Sequence, residues 1–233
     1  MLNDNKPSQQ WQAWFIDIFN SINNSRALSN DPVTINPDFH WSRTKGNTPT
    51  TTDGSFVEQW NVKGGGMTYV ITPTNYSSTS SGAGTGSARY AHVSITTVNG
   101  NEFSIYQSLP NRLSKLQGKN VTISSSIKNN LPSSVKCYFY IGFDLTGGGT
   151  DSYSGKSKVI YLSNGDNNIN ATISCPDIGV DNQTNIVTAA IKFYDLSGPV
   201  NLDIFYVKPE VSDSPTALHV DHSLEKYKID NPP

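Results

Sequence analysis

The 233-residue chain has only 15 % charged residues and a formal net charge of −2. It therefore has no basic surplus to neutralise nucleic-acid phosphates or to hold an anionic membrane surface, and both are excluded as expected partners. No apolar run approaches the roughly 18 residues of a spanning helix, which argues against membrane insertion. The opening Met1-Leu2-Asn3-Asp4-Asn5-Lys6 lacks a basic stretch followed by an apolar core, so synthesis in a cytosol without Sec export is expected. Cys137 and Cys175 are too few for a disulfide framework and fall in apolar runs, where buried thiols are expected.

In chain order, the first element is helical. Trp11, Trp14, Phe15, Ile18, Phe19 and Ile22 follow i, i+3, i+4, i+7, i+8, i+11 spacing, with Gln12, Asp17, Asn20 and Ser21 opposite. Ser8 is the expected N-cap and Asn23-Asn24 the stop. A helix this short is marginal alone, so the stripe is expected to dock on other copies or on another protein; packing on its own neighbouring domain is the alternative. We divide the chain into a docking and oligomerisation helix (residues 1–30), a β-domain (31–210) and a tail (211–233).

From residue 31 onward, short β-branched or alternating runs are separated by turn clusters. Strands are expected at Met67–Thr72, Tyr90–Val98, Glu102–Leu109, Lys119–Lys128 and Val135–Leu145. Four more are expected at Lys158–Leu162, Ile169–Ser174, Ile186–Tyr194 and Val200–Val207. Asn99-Gly100 and Asn164-Gly165 read as hairpin tips, and Ser77–Ser87 as a mobile Ser/Thr/Gly loop. The tail offers a short helix over His219–Lys228. The fold class is all-β, a jelly-roll β-sandwich with a short N-terminal amphipathic helix.

Several blocks carry a resemblance. Asn36-Pro37-Asp38-Phe39-His40-Trp41-Ser42-Arg43 is followed by Gly54-Ser55-Phe56-Val57-Glu58-Gln59-Trp60-Asn61. Phe103–Leu109 precedes Leu116-Gln117-Gly118-Lys119-Asn120-Val121-Thr122-Ile123-Ser124, and Asn201–Glu210 closes the domain. In order and spacing these resemble phage tail-fibre and virion-appendage proteins with a carbohydrate-binding-module-like jelly roll. The resemblance implies a virion location, other virion proteins as partners, a homotrimer, host attachment and a host glycan as ligand. It leaves a capsid decoration, head-fibre or neck connector protein without a receptor-binding role as the alternative, and a free-standing bacterial lectin as a third reading. The family's Cys-Gln-Arg-Tyr terminal pattern is absent from the tail.

Tyr and Trp provide flat faces that stack on sugar rings while their polar edges bond hydroxyls. Tyr138, Tyr140, Tyr153 and Tyr161 lie in or beside candidate strands, whereas Trp41 and Trp60 read as core. Catalysis finds little in this sequence: there is no nucleophile elbow, and Asp144 with Asp151 across Gly147-Gly148-Gly149 reads as turn chemistry rather than as a glycosidase pair. No enzyme, catalytic residue or cofactor is expected. His219-Val220-Asp221-His222 suits a solvated helix face, so no metal site is assigned. The jelly-roll resemblance implies at most a structural Ca²⁺, to which Asp203 and Glu210 would contribute.

Overall fold

A computed structural model describes Phe39 and residues 48–57, 59–75, 89–98, 102–110, 113–145, 153–178 and 186–216. The helical stripe from Trp11 to Ile22, Trp41, the Ser77–Ser87 tract, Asp151 and the tail from His219 lie outside the described residues.

Twelve antiparallel strands among the described residues form two sheets. The seven-stranded sheet contains β1 (Gly54–Val57), β2 (Trp60–Lys63), β5 (Glu102–Pro110), β11 (Ile186–Tyr194), β7 (Val135–Asp144) and β8 (Tyr153–Lys156), in that order. Beside β8, β9 (Ile160–Leu162) pairs with the start of β7, so the two short strands share one edge. The five-stranded sheet runs β10 (Gly165–Ser174), β6 (Asn120–Asn129), β12 (Val200–Val211), β4 (Arg89–Thr97) and β3 (Thr68–Asn75). A single helical turn, α1 (Leu113–Leu116), precedes β6 and buries Leu116.

All nine expected strands are present. The three that sequence reasoning missed, β1, β2 and β8, are four residues long and rich in Gly, Ser, Asn and Lys. They take their extended form from pairing with a neighbour rather than from propensity.

Period-two alternation builds the core. On β5, Phe103, Ile105 and Leu109 point inward; on β7, Cys137, Phe139, Ile141 and Phe143; on β11, Val187, Ala189, Ile191 and Phe193. The facing sheet supplies Ala91, Val93 and Ile95, Val121, Ile123 and Ile127, and Leu202, Ile204 and Val207. Trp60 is fully buried, as expected, with Phe39 and Phe56 within 5.7 Å of one another's or its ring. Cys137 and Cys175 are buried free thiols; burial pushes them up to about 12 and about 11 respectively, so neither is a thiolate at neutral pH.

The two Asn-Gly pairs are not hairpin tips. β4 and β5, on either side of Asn99-Gly100, lie in different sheets, and so do β9 and β10 on either side of Asn164-Gly165. The second pair is a corner where the chain leaves one layer for the other. Gly165 supplies a φ of +90° there, and the Asn164 amide donates across to the carbonyls of Asn129 (3.3 Å) and Leu131 (3.0 Å). An Asn-Gly pair provides a sharp reversal, but the reversal does not decide which sheet receives the next strand.

One tight approach anchors the sheet edge near the site described below. Gly65 has φ +57°, and a Cβ built on it would lie 2.3 Å from the Glu102 carbonyl oxygen. Gly65→Ala is expected to cost about 2 kcal/mol or more, because backbone at Glu102 must move in addition to the left-handed strain. Chemical denaturation of the variant beside the parent measures it, and an unchanged midpoint would show that the approach is not needed.

Candidate functional site

Because the odd positions of β11 enter the core, its even positions face outward, and the register of its neighbours sets what stands beside them. Ala190 lies opposite Tyr106 on β5 and Tyr140 on β7, which makes a Tyr-Ala-Tyr row across three strands. The row above is Ser108, Thr188 and Gly142; the row below is Ser104, Lys192 and Tyr138. Lys63 on β2 continues that lower row, opposite Ser104. Ala190 is the smallest side chain in the middle of these rows and is fully buried beneath its neighbours.

The result is an open hollow of about 320 Å³ on the outer face of the seven-stranded sheet, with Ala190 and Thr188 in its floor and Tyr106 and Tyr140 beside them. The two tyrosines are two strand spacings apart, about 9–10 Å between backbones. Gly142 contributes no side chain, so the space next to Tyr140 stays open. Among the described residues, the hydroxyls of Ser104, Tyr106, Ser108 and Thr188 have no protein hydrogen-bond partner. Asp144, 3 % exposed, closes the far end near Ile186.

Charge is organised along a strut. The Lys192 ammonium sits 4.1 Å from the centre of the Tyr140 ring and 2.9 Å from a Glu102 carboxylate oxygen. Glu102 also accepts the Tyr138 hydroxyl hydrogen bond. Burial, and next the Glu102 hydrogen bond, hold the Tyr138 phenol above its ordinary range, so it remains a donor at neutral pH. Lys192 lies one row from Tyr140 and covers one ring face.

Beyond the strut, a second hollow of about 290 Å³ is lined by Tyr138, Tyr194, Lys156, Ser157, Val159 and Glu102. The Tyr138 and Tyr194 rings meet edge to face at 5.3 Å, and the Lys156 ammonium is 6.0 Å from the Tyr138 ring centre. Tyr161, 63 % exposed, stands on neighbouring β9. A third hollow, about 440 Å³ at one end of the sandwich between the β6–β7 and β11–β12 loops, has no aromatic side chain among its described lining residues.

Of the four tyrosines singled out from the sequence, the structure brings Tyr138 and Tyr140 to this face and leaves Tyr161 exposed beside it. Tyr153 instead packs its ring on Phe143 at 5.3 Å and donates to the Ser174 carbonyl. Tyr106 and Tyr194 were missed. Alternation within Phe103–Leu109 could have turned Tyr106 outward, but nothing local shows that β5 and β7 flank the same strand. Among the described residues, each of the first two hollows is lined by one carboxylate, Asp144 or Glu102.

The two carboxylates considered for calcium each have protein partners. Asp203 lies 2.6 Å from His92 Nδ1 and accepts from the Asn130 amide at 3.0 Å. Glu210, fully buried, is 3.1 Å from the Lys208 ammonium and accepts from the Thr216 backbone N–H and hydroxyl. No group of three or more His, Cys, Asp or Glu side chains able to hold a metal occurs among the described residues.

No protein-family model matches the sequence, and no curated protein matches it. Solved structures of similar architecture are carbohydrate-binding modules. A family 11 module from Clostridium thermocellum, in complex with a β-1,3-1,4-mixed-linked tetrasaccharide, is 17 % identical, with 67 % of this chain and 91 % of that one covered, at a TM-score of 0.44. The CBM22-1 xylan-binding domain from Paenibacillus barcinonensis is 11 % identical, covering 80 % and 97 %, at 0.47. A further xylan-binding domain of family 22 is 11 % identical, covering 75 % and 100 %, at 0.46.

The His92–Asp203 contact gives a pH dependence of known sign. The hydrogen bond to Asp203 raises the imidazole above its ordinary value, against the opposing effect of burial. Its stabilisation is therefore complete below the unfolded-state value of about 6.5 and is lost as pH rises through the higher folded value. The melting-temperature gap between the parent and His92→Gln is expected to shrink from about pH 5.5 to about pH 8.5. A gap that widens with pH would contradict the assignment.

Proposed function

We propose that this is a non-catalytic glycan-binding protein whose ligand lies on the outer face of the seven-stranded sheet. The observation that carries this reading is the Tyr106–Ala190–Tyr140 row, a small-residue floor between aromatic side chains, surrounded by hydroxyls with no protein partner. Sugars present an apolar ring face edged by hydroxyls, and this surface supplies the complement of both. The Tyr106 and Tyr140 rings provide the stacking surfaces. Ser104, Ser108 and Thr188 provide donors and acceptors for the edges. The described residues of each hollow include one carboxylate, which suits binding rather than the paired-acid chemistry of glycoside cleavage.

The proposed setting is the surface of a phage particle, as a tail-fibre or short appendage protein that contacts a host glycan. It is supported by the sequence blocks that resemble virion appendages, which fall on β1–β2, β5, β6 and β12 of the sandwich. A capsid decoration or connector role would call for a broad apolar contact face; the exposed large apolar residues among the described ones are Val159 and Tyr161. In that setting the stripe from Trp11 to Ile22 joins three copies, and weak single-site sugar contacts gain from being held together.

Two measurements test these statements. Binding to an array of soluble glycans is expected for the parent, and Tyr140→Ala or Tyr106→Ala should weaken it about tenfold or more, the equivalent of ~1.4 kcal/mol. Unaltered binding in both folded variants would remove the face from consideration. Light scattering of the full chain beside a version lacking residues 1–30 should give a trimer and a monomer; a monomer in both cases would end the self-assembly proposal.

A further inference from the structure

We propose that the glycan is acidic, carrying carboxylate or sulfate groups, and that it spans both hollows of the face with its anions at Lys63 and Lys156. This inference rests on the glycan-binding reading above and adds the charge class and the extent of the ligand.

The charges on the face do not balance once their partners are counted. Glu102 is satisfied within the protein, by the Lys192 ammonium and by the Tyr138 hydroxyl. Asp144 is withdrawn from solvent. Lys63 lines the first hollow and Lys156 the second, and both side chains are exposed. Neither ammonium pairs with a carboxylate among the described residues. A chain of formal charge −2 thus presents a locally cationic surface at this one aromatic face.

The two ammonium groups are placed where anions on one ligand could reach them. Lys63 is on β2 and Lys156 on β8, with β5, β11 and β7 between. Four strand spacings put their backbones about 20 Å apart. A monosaccharide cannot bridge that width; an oligosaccharide running across the strands can. It would pass over Ala190 and alongside the Lys192–Glu102 strut. Each lysine is a flexible point charge beside a stacking surface, which suits a charged substituent projecting from a stacked ring. Lys156 illustrates this, with its ammonium 6.0 Å from the Tyr138 ring centre.

The test uses matched pairs of polymers that differ only in charge: polygalacturonate with its methyl ester, and a sulfated polysaccharide with its desulfated form, alongside neutral glucans and xylans. Affinity electrophoresis of the full chain is run at low and high NaCl. The acidic member of at least one pair should bind at least about tenfold more tightly, as a charge-assisted hydrogen bond provides, and the preference should fall with salt. Lys63→Gln with Lys156→Gln should abolish the preference while retaining neutral-glycan binding, and Lys128→Gln, on the other sheet, should leave it intact.

Equal binding of acidic and neutral members would overturn the charge assignment and leave glycan binding standing. Binding of single-stranded DNA as tightly as of the acidic glycan would also overturn it, marking a general polyanion surface. Binding of no glycan at all, by a chain whose melting transition shows it folded, would overturn the underlying reading and this one with it.

Discussion

The outer face of this sandwich depends on the register in which β11 is held between β5 and β7. Nine residue pairs on one side and eight on the other fix that register, and the core-facing Val187, Ala189, Ile191 and Phe193 lock it. A slip of one residue would turn all four into solvent and send Lys192 inward, at a cost no outward contact could offset. The apolar core therefore sets the lateral order of the exposed side chains. Tyr106, Ala190 and Tyr140 are adjacent because Ile105, Ile191 and Phe139 are packed one residue away along the same three strands.

The same logic shows why the two faces of the sandwich differ. On the five-stranded sheet, outward positions of β12 and β4 are joined through His92, Asp203 and Asn130, and the buried Lys208–Glu210 pair is closed by Thr216. These polar groups are partnered within the protein, although Ser124 Oγ on β6 is buried without a partner among the described residues. On the seven-stranded sheet the strut uses only Glu102, Lys192 and Tyr138, and the hydroxyls around Ala190 are left facing the hollow. Where the protein leaves polar groups without internal partners beside stacking surfaces, it is prepared for a ligand.

Much of the scaffold was legible in the sequence, since alternation in Glu102–Leu109, Val135–Leu145 and Ile186–Tyr194 is a local signal that survives without knowledge of partners. The turn signals were legible as turns but not as destinations: Asn164-Gly165 reverses the chain in either reading, and only contacts between layers decide that it crosses from one sheet to the other. Half of β10 was missed because Gly165, Asp166, Asn167 and Asn168 have no strand propensity; they are extended by their pairing with β6. The site was legible in part for the same reason. Tyr138 and Tyr140 could be chosen as aromatic residues in a strand. Tyr106 joins them only through a third strand some 80 residues further along the chain, and no local pattern encodes that meeting.

The cation over Tyr140 also gives the groove a direction. The Lys192 ammonium stands over the Tyr140 ring, while among the described residues no cation stands over Tyr106 on the opposite side of Ala190. The two sides of the surface across the strands are therefore chemically distinct, with Tyr140 on β7 beneath a cation and Tyr106 on β5 without one among the described residues. A polysaccharide is itself directional, with a reducing and a non-reducing end, so a chain lying on this face would fit one way round and not when reversed. Copies presented on a common support would then align the polymer strands they hold, and the asymmetry of one aromatic ring would become an orientation shared by the whole assembly.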